Sequence, residues 1–296
     1  MAGVQRQHLL PIILLLTVAS ALPPRTSASS YRCGWCPRSS TASLLPPDAG
    51  VLGGAACGYG PRTVPSELAE GGFHIAAVSS GFFRRGQACG ACYQLRCRGR
   101  TACAADGIKV VVVSDVSETA ANGTGGFLLT KGAFTALDNG GASQEATVDV
   151  DFRRIPCVYR DKNLAVKVEA SDRSQGRLAL RFLYQGGQTD IVAVGVAQDV
   201  NDSAPSPMTW RYMTRREGSP ALWRTSRAPA GPLQLRLVVT AGSGGKWLRS
   251  NGVVLPADWV PGAVYDTGLR VTDVAASTCG GASCAFADED GDEELR

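Results

Sequence analysis

The chain has 296 residues, 44% of them hydrophobic and 19% charged, with a formal net charge of +4. The charge is divided: residues 26–287 carry 27 Lys and Arg against 20 Asp and Glu, whereas 288–296 hold six acids and one arginine. No Lys/Arg run interleaved with aromatics accompanies the basic body, which argues against a nucleic-acid partner and leaves a modest attraction for acidic polymers.

The first element is a targeting segment. Arg6 precedes an apolar run from Leu9 to Ala21, interrupted by Pro11, Thr17 and Ser20. The run is shorter than the ~20 residues of a spanning helix, and the small residues Ala19, Ala21 and Ala28 offer cleavage sites. A signal peptide is therefore expected within 1–28, cleaved between 21 and 28. No later segment is long and apolar enough to span a bilayer, so a secreted protein without a transmembrane segment is expected.

All ten cysteines (33, 36, 57, 89, 92, 97, 103, 157, 279 and 284) follow this segment. An even number in a secreted chain predicts complete disulfide pairing in an oxidising compartment. Cys33-x-x-Cys36 and Cys89-x-x-Cys92 have zinc-like spacing, but His74 is the one histidine left beyond the signal. Disulfides are predicted, with no metal and no other cofactor.

Up to Cys157 the chain is rich in cysteine and glycine. Lys109-Val-Val-Val-Val-Ser-Asp115 reads as a buried strand ending in a carboxylate, and Phe127–Phe134 and Val148–Cys157 follow it. Short strands pinned by disulfides predict a compact β-barrel over 54–160, with a short linker at Asp161–Asn163. The loop from Ser117 to Gly126 carries the sequon Asn122-Gly-Thr, a glycosylation candidate.

From Leu164 onward no cysteine appears until 279, and period-two alternation takes over in 164–169, 178–184, 191–196 and 233–239. Gly186-Gly187, residues 201–207 and Gly242–Gly245 supply turn chemistry between these runs. An antiparallel β-sandwich is predicted over 163–275. A second sequon, Asn201-Asp-Ser, lies in one of its loops, and 285–296 reads as an acidic disordered tail. Trp210, Trp223, Trp247 and Trp259 fall in or near loops, where flat apolar rings suit the C–H faces of sugars.

Six motifs in one order carry a family resemblance: Ala56-Cys-Gly-Tyr-Gly60, Cys89-Gly-Ala-Cys-Tyr-Gln-Leu-Arg-Cys97, Ser114-Asp115, Arg153-Arg-Ile-Pro-Cys157, Tyr184-Gln-Gly-Gly-Gln-Thr-Asp190 and Leu255-Pro-Ala-Asp-Trp-Val-Pro-Gly262. Together the chain resembles the plant expansin superfamily, nearest to its expansin-like A group, from about Cys33 to Ala275. The resemblance implies an all-β protein: a double-psi β-barrel akin to family-45 endoglucanases, followed by an immunoglobulin-like, cellulose-binding β-sandwich. It also implies the pairs Cys57–Cys89, Cys92–Cys157 and Cys97–Cys103, leaving open how Cys33, Cys36, Cys279 and Cys284 pair.

The resemblance also places the groove residues. Glycoside hydrolysis by the usual route needs two carboxylates about the scissile bond. The family's histidine-phenylalanine-aspartate triplet aligns with Gly126-Phe127-Leu128, so the general-acid position is Leu128, which has no proton to donate. Asp115 matches the remaining acidic groove residue. Glu118 and Asp138 are the candidates for a relocated acid. Asp149 and Asp151, alternating with valines, read as structural or solvent-facing, and His74, between Phe73 and Ile75, reads as a packed residue rather than part of a triad. In the sandwich, two aromatic positions of the family fall near Arg177 and Glu217.

The expected function is that of a secreted, monomeric, non-enzymatic cell-wall protein. It would bind cellulose, xyloglucan or another matrix glucan through Asp115, Tyr184, Trp210, Trp223 and Trp247, and loosen non-covalent contacts between microfibrils and matrix. Arg177 and Arg215 are the candidates for contact with an acidic or substituted polymer. The alternatives are a weak endo-β-glucanase, or a binding or defence protein like the barwin and kiwellin relatives of the barrel.

Overall fold

The structure is a computed structural model describing residues 38–46, 56–59, 68–98, 103–116, 126–139, 147–157, 159–187, 189–199, 208–216, 219–240 and 245–271. The expected signal peptide, Cys33, Cys36, Cys279, Cys284, Glu118, both sequons, Glu217 and the acidic C-terminal residues lie outside the described residues.

Six strands close into a barrel in the order β1 (Arg38–Leu44), β5 (Gly126–Leu129), β2 (Phe73–Ser79), β4 (Ile108–Val116), β3 (Cys92–Cys97) and β6 (Thr147–Ile155), with β6 pairing back onto β1. The β1/β5 and β2/β4 pairs are parallel and the others antiparallel. Closure leaves no free sheet edge, so every strand can bury its backbone polar groups. Val110 to Val113 of β4 are all buried, which explains why this strand reads as a continuous apolar run rather than an alternating one. Phe127 packs against Phe82, Tyr93 and Phe152, with ring centroids 5.2–5.3 Å apart.

The barrel begins earlier than the expected boundary at residue 54. Strand β1, Arg-Ser-Ser-Thr-Ala-Ser-Leu, lies between β5 and β6, and two ladders of main-chain hydrogen bonds hold it. Its polar side chains hide it from a hydrophobicity pattern; Ser43 meets Thr147 through their hydroxyls at 2.9 Å.

Two short helices punctuate the barrel. Helix α1 (Ser80–Phe83) ends in a 3-10 turn, Arg84–Gly86, where Arg84 and Arg85 both take left-handed φ angles of 48° and 53°. Helix α2 (Lys131–Leu137) is capped by Thr130, whose Oγ1 accepts from the Ala133 amide at 3.4 Å. The bonds Cys57–Cys89, Cys92–Cys157 and Cys97–Cys103 are present, with Cα atoms 5.5, 5.5 and 5.9 Å apart, in the pairing that the resemblance implied.

The remaining eight strands run β13-β12-β9-β10-β11-β8-β7-β14 and curl into a sandwich. In chain order they are β7 (Ala165–Val168), β8 (Leu178–Leu183), β9 (Asp190–Gln198), β10 (Arg211–Arg216), β11 (Ser219–Thr225), β12 (Leu233–Thr240), β13 (Gly245–Arg249) and β14 (Val264–Asp266). Every neighbouring pair is antiparallel. Leu180, Phe182, Val194, Val196, Leu233, Leu235 and Leu237 fill the core by alternation. The protein is thus all-β, a double-psi barrel followed by an immunoglobulin-like sandwich.

Barrel and sandwich belong to one compact unit. Asp190 of β9 is paired with Arg154 of β6 at 2.6 Å and with Arg84 at 2.7 Å. Arg154 also donates to the Gly187 carbonyl at 2.5 Å, and Arg215 of β10 bridges the carbonyls of Gly86 and Ile191 at 3.1 and 2.8 Å. Arg181 of β8 donates to the Cys57 carbonyl and holds Glu169 at 2.8 Å, while the Gln185 amide donates to the Tyr59 hydroxyl at 2.9 Å. Backbones approach so closely here that a Cβ at Gly187 would lie 2.4 Å from Cys157 Sγ. Charged groups facing carbonyls and one carboxylate across this seam fix the relative orientation of the two modules.

Candidate functional site

The barrel residues expected to line a groove, with the residues between them, lie on three adjacent strands. In the cross-strand register Asp115 of β4 is beside Val78 of β2, which is beside Phe127 of β5; Ser114, Ala77 and Leu128 form the neighbouring row. Successive residues of a strand point to opposite faces, so Asp115 and Leu128 leave the sheet on opposite sides. Leu128 is 2% exposed and belongs to the barrel core, whereas Asp115 is half-buried.

Asp115 is the one carboxylate on β2, β4 and β5. Of the other acids, Asp138 is fully buried at the C-terminal end of α2, Asp149 is exposed, and Asp151 is held by Ser39 at 3.2 Å and Arg98 at 3.8 Å. His74 is half-buried on β2, and burial lowers its pKa, which keeps it neutral near pH 7. Gly126 is beside Thr41 of β1, and a Cβ there would lie 2.3 Å from the Thr41 carbonyl oxygen. No larger residue fits at that position without displacing β1. Among the described residues no three His, Cys, Asp or Glu side chains are grouped to hold a metal ion.

The sandwich sorts the aromatic candidates into two kinds. Trp223 of β11 is 5% exposed, packed in the core with the Arg215 guanidinium 4.5 Å from its ring centroid. Its ring is therefore not available to stack on a sugar, which corrects the expectation. Trp259 is likewise buried, beneath Arg173. Arg215 is committed to the seam and does not reach a polymer. Tyr184 sits near that seam with a left-handed φ of 58°, edge-on to Tyr159 at 5.3 Å and beneath Lys162.

The second kind forms one surface. Trp247 of β13 is 56% exposed and Tyr212 of β10 is 58% exposed; with half-buried Trp210 they surround the Arg236 guanidinium, whose carbon lies 4.9, 5.0 and 4.6 Å from their respective ring centroids. Arg236 donates to the Tyr212 hydroxyl at 2.9 Å, and Arg249 lies over Trp210 at 5.6 Å. The register aligns Tyr212, Gly195, Arg236 and Arg249 across β10, β9, β12 and β13, so all face one way. Gly195 is the floor of this arrangement: a Cβ there would lie 3.1 Å from Arg236 and 3.4 Å from Trp210. Of these residues, Trp210 and Trp247 were expected from the sequence. Tyr212, Gly195, Arg236 and Arg249 were missed, although the alternation of Leu233-Gln-Leu-Arg-Leu already turns Arg236 outward.

Clefts also lie among the described residues. One, about 820 Å³, lies at an end of the sandwich between Arg173, Arg177, Pro229, Trp259 and Val260, with Arg177 held by Asp172 at 3.2 Å. Another, about 700 Å³, lies on the barrel between Glu70, Phe73, Lys109, Arg153 and Arg160. Among the described residues no helix is long and apolar enough to cross a membrane.

Comparison with known proteins follows this architecture. The family model for the expansin C-terminal domain matches residues 164–255. The chain is 54% identical to expansin-like A4 of Oryza sativa subsp. japonica, with 91% of each chain covered. It is 40% identical to expansin-like A2 of Arabidopsis thaliana, over 86% of this chain and 91% of that one. Among solved structures it is similar to the apo expansin of Clavibacter michiganensis, with a TM-score of 0.54 and 18% identity over 79% of this chain and 98% of that one. A mutant of that bacterial protein in complex with cellohexaose aligns with the same TM-score and coverage at 20% identity.

Proposed function

Because the chain belongs to the expansin superfamily, and within it to the expansin-like A group, we propose that it is a secreted, monomeric cell-wall protein that binds wall polysaccharides without cleaving them and loosens their non-covalent contacts. The observation that carries this reading is the Trp210–Tyr212–Trp247 surface, two exposed rings and one half-buried ring on a sheet that the seam orients against the barrel. Stacking of such rings on pyranose C–H faces is apolar and tolerant of position along a chain. A protein holding a polymer at two modules can compete with the polymer's own hydrogen bonds, each of which contributes only about 1 kcal/mol net in water.

The barrel supports the non-hydrolytic part. Acid and base catalysis of glycoside cleavage needs a second carboxylate facing the first, and the three strands that carry Asp115 and Leu128 hold no other acid. Asp115 is left as an acceptor for sugar hydroxyls. The cellohexaose complex belongs to the bacterial protein; for this chain a β-1,4-glucan such as cellulose or xyloglucan is the proposed partner.

The test is incubation of the full secreted chain with insoluble cellulose and with xyloglucan. Sedimentation of the protein with the polymer, creep of heat-inactivated wall specimens and a flat reducing-end assay are expected. Sustained release of reducing ends, abolished by Asp115→Ala, would establish an endoglucanase instead.

A further inference from the structure

The polymer-facing surface of the sandwich is not neutral. Strands β9, β10, β12 and β13 together contain one carboxylate, Asp190, and it is buried in the seam. Asp199, just beyond β9, accepts a hydrogen bond from the Gln234 amide, whose oxygen in turn accepts from Arg249 Nε and Nη2 at 3.1 and 2.9 Å. Arg236 and Arg249 therefore stand in the ring surface with one marginal, already engaged carboxylate as their only anionic neighbour among the described residues.

Arg236 is held in an unusual way. Three rings surround its guanidinium and withdraw it from water, while their negative faces stabilise the charge without neutralising it. Its one hydrogen bond to a neighbouring side chain goes to a neutral hydroxyl, that of Tyr212. Its Nε is buried and has no hydrogen-bond partner among the described residues. A guanidinium so placed has rigid, planar donors and lacks an anion, the geometry that favours a carboxylate over a hydroxyl.

We propose that this surface, taken as a polysaccharide-binding face in the reading above, accepts an acidic polysaccharide: a polyuronate whose pyranose rings stack on Trp247, Tyr212 and Trp210 while its carboxylates meet Arg236 and Arg249. A neutral glucan satisfies the rings and leaves the cations without anions. A polyuronate satisfies both, because each of its sugars presents a C–H face and one carboxylate. The specificity of this face thus lies in β12 and β13, separate from the Asp115 groove of the barrel.

The test measures binding of the full chain to three polymers: de-esterified polygalacturonate, the same polymer fully methyl-esterified, and a neutral β-1,4-glucan. De-esterified polymer is expected to bind about ten-fold more tightly than the esterified form, the difference a charge-assisted hydrogen bond makes. That preference should shrink as salt rises from low to high ionic strength. Arg236→Leu, which keeps apolar contact with the rings, is expected to abolish the preference, bringing the affinity for de-esterified polymer down to that for the esterified form; Arg249→Gln, on an exposed strand, should reduce it without affecting the melting temperature. Equal affinity for esterified and de-esterified polymer, or a preference that survives in both variants, overturns the proposal. Loss of β-glucan binding in wild type with the uronate preference intact overturns the β-glucan reading alone and leaves this one standing.

Discussion

Asp190 and Arg154 meet at 2.6 Å across the junction of sandwich and barrel, with Asp190 only 3% exposed. Burial opposes the charge on Asp190, but Arg154 and Arg84 overcome it and hold the carboxyl below its usual pKa. Arg154 is matched to it: burial disfavours its charge, and Tyr93 and Asp190 more than restore it. The two modules are joined by ionic contacts that each need the other.

Asp190→Asn leaves Arg84 and Arg154 partly buried without their anion. The expected cost is about 3–5 kcal/mol of unfolding free energy, read from denaturant melts at pH 7. The pH dependence follows from the lowered folded pKa: the stabilisation is present above the unfolded value of about 3.9 and is lost as pH falls through the lower folded value. Wild type should therefore lose stability below about pH 4, and the variant should show a shallower acid limb.

Tyr59 gives the complementary alkaline prediction. Burial is the main cause of the rise in its pKa, partly offset by the Gln185 hydrogen bond and the charges of Arg181 and Arg215. In the folded protein its phenol should stay neutral while exposed tyrosines ionise, which ultraviolet absorbance against pH will show. An unfolded tyrosine ionises near pH 10, so stability linked to Tyr59 is present below that pH and falls above it. Arg215 acts in the opposite sense, since burial lowers its pKa to about 10 despite Asp190 and Tyr59. The difference between wild type and Tyr59→Phe isolates the tyrosine's share.

An acid placed at position 128 is not expected to create an enzyme. Leu128→Asp removes a core leucine and buries a carboxyl in its place, on the face of the sheet opposite Asp115. A loss of at least about 4 kcal/mol is expected, together with no release of reducing ends from soluble β-glucan. Calorimetry and a reducing-end assay read the two outcomes separately.

Two tryptophans should separate binding from stability. Trp247→Ala is expected to change unfolding free energy by less than about 0.5 kcal/mol, because the ring is exposed, while lowering polysaccharide retention. Trp223→Ala should cost about 3–5 kcal/mol, because it empties a packed site in the sandwich core. Paired melts and sedimentation assays on both variants test this.

Much of the architecture was legible in the residues. Alternation in 233–239 marked a sandwich strand whose leucines and Val239 face the core, and the valine run before Asp115 marked a strand covered on both faces. Strand β1 was illegible because its place depends on main-chain bonding to β5 and β6, to which Ser and Thr contribute as well as Val. The aromatic surface was half legible: Trp210 and Trp247 could be named, but their company could not.

Local and additive properties are written in the residues alone: the number of cysteines, the strand periodicities, the leucine at position 128 and the family to which the motifs point. Tertiary structure alone decided which tryptophan is covered and which is open, because exposure depends on what packs against a ring. Trp223 and Trp247 are both strand residues, yet one faces the core and the other faces outward beside Arg236. Tertiary structure also decided that Arg215 serves the seam while Arg236 serves the surface. The charge on an arginine is written in its side chain, but the partner that charge finds is set by strands brought together from distant parts of the chain.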